Sequence, residues 1–307
     1  MGRVIHTGQA LVDTVVEIPA LPRRGGNVMA SSVHDYAGGA VNILVAAARA
    51  GAECVHAGAH GTGPRGDLIR DVLASEQVTL SAPPIADADT GICFVMVEPS
   101  AERTFVTTLG AERLITSASL QASRPEPGDL VCITGYSFVL PQTCAPLLHW
   151  IASLPTGAIL VLDPGAAFAD LPDAIRGPVL ARTDVFTGNA EESSDLADVD
   201  GMEASARVIS KLLRPRGVAI VRDGPKGCCV RVAGRTITVP GFPQKPLDTN
   251  GAGDCHTGVL VAERARGASW AEAARRANAA AAIKVTRRGP GTAPTRAEVD
   301  AFLASQN

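Results

Sequence analysis

The stretch Asp248-Thr249-Asn250-Gly251-Ala252-Gly253-Asp254 brings together residue types that suit one kind of chemistry. Pro240, Pro243 and Pro246 punctuate the approach, and an apolar, alanine-rich run over 255–265 follows. That order predicts a loop running into a helix N-terminus. The first turn of a helix leaves N–H donors unpaired and carries partial positive charge, so it suits an anion. Gly251 and Gly253 have no side chain to block the approach, and Ala252 adds little bulk. Asp254 then sets a carboxylate beside the anion. A carboxylate there can take the proton from a hydroxyl that attacks a phosphoryl group. The plainer reading is an acidic residue at a helix start, where the dipole contributes only about 0.3–1 kcal/mol.

Other groups could complete that chemistry. Asn189-Ala190-Glu191-Glu192 sets Asn189 and Glu192 on one helix face, with Glu191 on another. An amide oxygen and a carboxylate at that spacing can order the water-rich shell of Mg2+. The same spacing is also a capping box. Arg222-Asp223-Gly224-Pro225-Lys226-Gly227 reads as a strand-end turn, with Arg222 either on a phosphate or simply exposed. Toward the N-terminus, Asp13 can accept from two adjacent hydroxyls, and Asn42 can both donate and accept. Gly38 and Gly39 let backbone come close to a ring. His256 follows Asp254 closely and reads as a packing residue.

Two competing motifs need weighing. No Gly-x-x-x-x-Gly-Lys-Ser/Thr phosphate loop occurs. Gly61-Thr62-Gly63-Pro64-Arg65-Gly66 does satisfy Gly-x-Gly-x-x-Gly between a strand and a helix, which admits a dinucleotide-dependent oxidoreductase. It lies outside the first strand–helix unit and contains Pro64, so a plain turn into a helix over 67–75 is the simpler account.

The 248–254 stretch resembles the C-terminal signature of the ribokinase-like (PfkB-type) carbohydrate kinases, with every fixed position filled. The segments 8–13 and 38–42 and the Asn189-x-x-Glu192 pair match that family's pattern too, so the resemblance runs over nearly the whole chain. It implies a single α/β domain over 1–307: a three-layer, doubly wound, mostly parallel sheet with a small β-sheet lid over the sugar. It implies transfer of the γ-phosphoryl group of ATP to a carbohydrate hydroxyl, with a nucleoside kinase of the same fold as the alternative. On this resemblance Asp254 is the base and the backbone of Gly251, Ala252 and Gly253 the anion hole. Asp13, Gly38, Gly39 and Asn42 hold the sugar. Asn189, Arg222, Gly224, Gly227 and Asn278 meet the nucleotide, and Val239, Pro240, Ala277, Asn278 and Ala281 wall its adenine. Asn189 and Glu192 hold Mg2+ through water. Carbonyls of 248–250, including Asp248 and Thr249, and of 285–292 would take K+. Two copies would pair through the lid.

The elements that must position these residues are legible as periodicity. The four strand candidates at 11–18, 28–36, 92–98 and 103–108 lack intervening helices and suit a small separate sheet. The last two form a hairpin around 99–102. From residue 130 the chain alternates, with strands at 130–134, 158–162, 184–187 and 217–222. Helices fall at 141–154 and 202–213 and, after a hairpin at 228–239, at 255–266, 270–286 and 296–304. Such alternation argues a parallel sheet covered on both faces, with ligands at the carboxyl ends of its strands.

Composition narrows the class. At 307 residues, 46% hydrophobic and with a net charge of −3, the chain has ample core and no basic block for nucleic acid. No apolar run reaches the roughly 18 residues of a membrane span. The first residues lead directly into a strand pattern without the shape of a signal peptide. Seven cysteines without a Cys-x-x-Cys point to a reducing cytoplasm and no zinc site. Aromatic residues make up only 4%, so the core must be aliphatic.

Overall fold

The computed structural model describes residues 2–100 and 102–306; Ala101, in the expected turn at 99–102, lies outside the described residues. The N-terminal part contains β1 (Val4–His6), β2 (Ala10–Glu17), β3 (Ser32–Gly39), α1 (Ala40–Arg49), β4 (Cys54–His56), α2 (Pro64–Ser75), β5 (Thr79–Leu80), β6 (Ile92–Val97) and β7 (Arg103–Thr107). The middle holds α3 (Ser117–Gln121), β8 (Leu130–Thr134), α4 (Pro141–Ser153), β9 (Ile159–Asp163), α5 (Asp173–Arg182), β10 (Val185–Asn189), α6 (Ala190–Ala197) and α7 (Met202–Leu212). The chain closes with β11 (Val218–Arg222), β12 (Gly227–Val232), β13 (Arg235–Pro240), α8 (Ala252–Ala265), α9 (Trp270–Lys284) and α10 (Arg296–Ser305).

The large sheet has nine strands in the order β13-β12-β11-β10-β9-β8-β1-β4-β5. The run from β11 to β5 is parallel, and the β12–β13 hairpin joins antiparallel to β11. Central strands such as Leu130–Thr134 are apolar at nearly every position because both faces are covered. On one face Leu130, Val161 and Ile220 pack with α1, α8 and α9. On the other Val131, Leu160 and Phe186 pack with α4, α5 and α7. Trp150 of α4, 1% exposed, plugs that second layer; trimming it to Ala would cost about 3–5 kcal/mol.

The second sheet runs β3-β2-β6-β7. It contains the four strands that the sequence sets apart, with shifted bounds. The strand expected at 28–36 begins only at Ser32, because its partner β2 ends at Glu17 before Pro19, and Glu17 pairs with Ser32. It also runs on through Gly38 and Gly39 to the first residue of α1. Helix α5 lies in a stretch that periodicity left blank, since Gly177 and Pro178 lower its helical propensity. The two-residue β5 is too short to leave a pattern.

The glycine-rich segment 61–66 is a structural turn. The carboxylate of Asp89 fills the N-terminus of α2, accepting from Gly66 N at 2.9 Å and Arg65 N at 3.3 Å and pairing with Arg65 Nε at 2.9 Å. The anion that this helix start attracts is thus a side chain of the protein itself, leaving no room for a pyrophosphate. Nearby, the buried carboxylate of Glu112 accepts from Gly91 N at 2.7 Å and Gly110 N at 3.0 Å. These are the points where the β6–β7 hairpin leaves and rejoins the body.

Candidate active site

The carboxyl ends of β9, β10 and β11 and the start of α8 line a cleft of about 530 Å3. Asp254 lies in the first turn of α8. Gly251 caps that helix in a left-handed conformation, φ 75°, and a Cβ there would sit 2.5 Å from Pro290 O. No side chain caps α8 among the described residues; Ala252 N, expected in the anion hole, donates to Thr249 O at 3.2 Å, and Gly253 and Asp254 face the cleft beyond it.

Asn42 of α1 reaches across to this turn, and its Nδ2 donates to Asp254 Oδ2 at 3.1 Å. The approach depends on Gly258, one turn further along α8. A Cβ at 258 would come 2.4 Å from Ile43 O and 2.7 Å from Ala46 Cβ, so only glycine lets α8 lie this close to α1. Burial raises the Asp254 pKa to about 6, helped by the charge of Asp163 and opposed by the Asn42 hydrogen bond, Arg222 and Lys284. An ordinary helix-start aspartate would show no such rise. A base poised near neutrality is what proton abstraction from an alcohol favours.

Asp13 faces this corner from the lid. It pairs in register with Tyr36 and Cys93, so these three share one face of the small sheet. Burial, then the charge of Asp254, pushes the Asp13 carboxyl up to about 7. Gly38 is fixed by this side chain: a Cβ there would lie 2.3 Å from Asp13 Oδ2. Gly39, φ 62°, makes the turn from β3 into α1, and a Cβ there would meet Gln9 O at 2.3 Å. Asn42 Oδ1 is buried with no partner among the described residues and can accept from a ligand hydroxyl.

On the nucleotide side the cleft is lined by Asn189, Glu192, Arg222, Gly224, Gly227, Ala252, Gly253, Asn278 and Ala281, all expected there. Several do other work than expected. Arg222 is buried rather than exposed, and its Nε has no partner among the described residues. Its Nη1 donates to Gly253 O at 2.7 Å and to Thr257 Oγ1 at 3.2 Å, bracing the first turn of α8. Gly227 is required by the hairpin, since a Cβ would meet Val239 O at 2.2 Å. The Asn278 amide donates to Val239 O and Pro240 O, both at 3.1 Å, and its oxygen pairs with His256 Nε2 at 3.1 Å. It braces the hairpin against α9 while lining the cleft. Burial lowers the His256 pKa to about 3, so that ring is neutral and serves packing. Ala277 is wholly within the core and does not wall the cleft. Val239 and Pro240 hold Asn278, while Phe242, Pro246, Ala282 and Val285 supply the apolar wall.

Asn189 and Glu192 form a reciprocal capping box on α6: Asn189 N donates to Glu192 Oε2 and Glu192 N to Asn189 Oδ1, both at 2.8 Å. Glu192 nonetheless faces the cleft. Burial and Asp163 raise its carboxyl to about 7, against the pull of Arg222. Asp163 itself ends β9 and accepts from Thr257 Oγ1 at 3.2 Å. It was not among the residues singled out from the sequence. Its place at the carboxyl edge of a parallel sheet was the available signal. Tyr136, packed on Gly165, also lines the cleft without having been singled out.

Of the carbonyls expected to take K+, those of Asp248 and Thr249 already accept hydrogen bonds, and so does the Asp248 carboxylate. Asp248 Oδ1 and Oδ2 accept from Asn250 N (2.8 Å) and Gly289 N (2.9 Å), and Thr249 O accepts from Ala252 N at 3.2 Å.

A poised carboxylate beside an uncapped helix N-terminus, a polar lid face opposite and an apolar-walled cleft behind define a phosphotransferase that acts on an alcohol. The profile of the pfkB family of carbohydrate kinases matches residues 2–296, and the chain belongs to that family. It is 32% identical over 99% of its length, and 94% of the relative's, to the uncharacterized sugar kinase YegV of Escherichia coli. It is 28% identical to the ribokinase of Haemophilus influenzae, over 96% of both chains. The ribokinase of Arabidopsis thaliana, solved with ribose and ATP, has the same fold, with a TM-score of 0.81 at 24% identity over 99% of both chains. The protein is an ATP-dependent carbohydrate kinase.

Proposed function

We propose that the acceptor is a neutral, unphosphorylated monosaccharide with adjacent hydroxyls, used with Mg2+-ATP. The observation that carries this is the concentration of acid at the acceptor corner. The charge of Asp254 acts on Asp13 and that of Asp163 on Asp254, and the proton affinities of Asp13 and Asp254 are raised. An acidic or phosphorylated sugar would add like charge to that corner and be rejected. Adjacent hydroxyls would satisfy the two oxygens of Asp13 and the free Oδ1 of Asn42.

In this reading Asp254 takes the proton of the reacting hydroxyl, and Asn42 holds its carboxylate in line. N–H groups at the start of α8 meet the charge that develops on the phosphoryl oxygens. The lid face bearing Asp13 and Tyr36 excludes water. No group of three or more His, Cys, Asp or Glu able to hold a metal occurs among the described residues, which suits an ion bound mainly through water. Glu192, beside Asp163 and only partly offset by Arg222, is short of positive charge, and this donor set fits Mg2+. Asn189 and Glu192 would hold the ion's waters; when bound, Mg2+ supplies neutralisation of the phosphate charge. An ADP-release screen over pentoses, hexoses, sugar acids, sugar phosphates and nucleosides tests the assignment. Preference for a phosphorylated sugar or a nucleoside would overturn it.

The opposite face of the lid carries Val16, Val33, Phe94, Met96 and Val106, with Val33 62% and Val106 52% exposed. Such a patch suits a second copy of the lid. A Val106→Asp variant is expected to sediment as a smaller species than the parent, and equal sedimentation would count against pairing. All seven cysteines are buried and unpaired, in keeping with a reducing cytoplasm. We read the chain as one kinase domain, with the lid as its outgrowth.

A further inference from the structure

The resemblance to this family raises a monovalent cation held by main-chain oxygens of 248–250 and 285–292. In this chain six of those eleven oxygens, on Asp248, Thr249, Val285, Gly289, Gly291 and Thr292, already have donors, and three of the donors are cationic side chains. Asp248 O accepts from Lys284 Nζ at 2.9 Å. Gly291 O accepts from Arg49 Nη1 and Thr292 O from Arg287 Nη1, both at 3.4 Å. Val285 O takes Leu247 N at 2.7 Å and Asp248 N at 3.1 Å, and Gly289 O takes Thr292 Oγ1 at 2.8 Å. A K+ seated on Asp248 O would displace its hydrogen bond and face the Lys284 ammonium, whereas Arg49 and Arg287 are already paired with Glu76 and Glu298.

Lys284 stands apart among the three. It sits in the last turn of α9 with 0% of its surface exposed, and its ammonium is hydrogen-bonded to a main-chain carbonyl rather than to a carboxylate. Burying a charge so is costly unless the charge is used. Its field reaches Asp248 and Asp254, and it lowers the proton affinity of the base. The carbonyl it holds belongs to the first residue of the loop that ends in the anion hole.

We propose that the Lys284 ammonium does the work of a monovalent cation in this site: it pins the 248–250 loop, supplies the positive charge behind the anion hole, and leaves the enzyme independent of K+. The idea rests on the kinase reading, but its first test needs no turnover. Thermal melts of the whole protein in K+, Na+, Cs+ and tetramethylammonium chloride at equal ionic strength are expected to coincide. 205Tl NMR should show no specifically bound Tl+. A Tm several degrees higher in K+ than in tetramethylammonium, or a saturable Tl+ site, would overturn the proposal even if no sugar substrate were in hand. With a substrate, the parent should turn over equally in all four salts. Lys284→Met should lose activity in tetramethylammonium and regain it in K+ or methylammonium, a rescue that a merely structural lysine would not give. Full activity of Lys284→Met without any small cation would also refute it. Should that variant fail to fold, the melts and Tl+ spectra of the parent still decide.

Discussion

Asn42 Nδ2 donates to Asp254 Oδ2 at 3.1 Å across 212 residues of sequence, joining the helix that leaves the lid to the helix that carries the base. The bond favours the ionised form of Asp254, whose pKa burial has raised to about 6. Only the ionised form can take a proton, so kcat/KM is expected to fall as pH drops through about 6. Removing the donor in Asn42→Ala should move that acid limb to higher pH. An unmoved limb in the variant would separate the observed titration from Asp254.

Asp254→Asn keeps the shape and removes the base, so kcat should drop by about 100- to 10,000-fold while ATP still binds. Stability should move the other way. The folded-state pKa is raised from 3.8 to about 6, so the folded form prefers the proton. The stabilisation linked to that proton is complete below 3.8 and lost as pH rises through about 6. Asp254→Asn should therefore melt above the parent at pH 8, with the gap shrinking toward pH 4. A gap that grows on acidification would contradict the assignment.

Gly38→Ala would place a Cβ 2.3 Å from Asp13 Oδ2 and turn the carboxylate out of the site. Sugar KM is expected to rise by roughly tenfold or more, as for Asp13→Ala, since a lost buried partner costs about 1–3 kcal/mol. ATP affinity should hardly change. If the two act through the same carboxylate, the double variant should be no worse than Asp13→Ala alone. Additive losses in sugar KM would show that Gly38 acts on something else.

Glu192→Gln retains an amide oxygen for Asn189 N, so α6 keeps its cap, but the charge is gone. The Mg2+ concentration for half-activity should rise with sugar KM nearly constant. An unchanged Mg2+ titration would reduce Asn189 and Glu192 to a helix cap, the other reading their spacing allows.

The division into a parallel sheet and a lid was legible because it rests on periodicity, a property of short windows. The anion corner was legible because Gly251, Gly253 and Asp254 are adjacent in sequence. The relations that sequence did not reveal are those that only packing creates. Nothing near Gly258 shows that α1 lies against it, yet its missing Cβ brings Asn42 to Asp254. Arg222 and Asn278 sit where a nucleotide contact was expected, and they also hold Gly253 O, His256, Val239 O and Pro240 O, links that sequence could not show. Carbonyls such as Asp248 O have no residue-type signature, so their capture by Lys284 could not be read.

Glu112 is another residue that sequence left unremarked, and it bears on how the lid moves. Its carboxylate is wholly buried, accepts from Gly91 N and Gly110 N, and lies 3.5 Å from Arg113 Nε. Glycine is needed at both contacts, since a Cβ at 91 or 110 would come within 2.8 Å of a Glu112 oxygen. One side chain thus ties together the two roots of the β6–β7 hairpin, one strand of which pairs with β2 carrying Asp13. Glu112→Ala would leave the buried Gly91 N–H unpaired, worth about 1–3 kcal/mol, together with the half-buried Gly110 N–H, and Arg113 without its carboxylate. The lid should then loosen at its roots while the nine-stranded sheet stays intact. Expected signs are faster amide exchange over 92–107, a lower Tm and a sugar KM raised more than the KM for ATP. Glu112→Gln, which keeps one acceptor oxygen, should fall between. Exchange that speeds up evenly over both sheets would mean that Glu112 supports the fold as a whole and not the hinge.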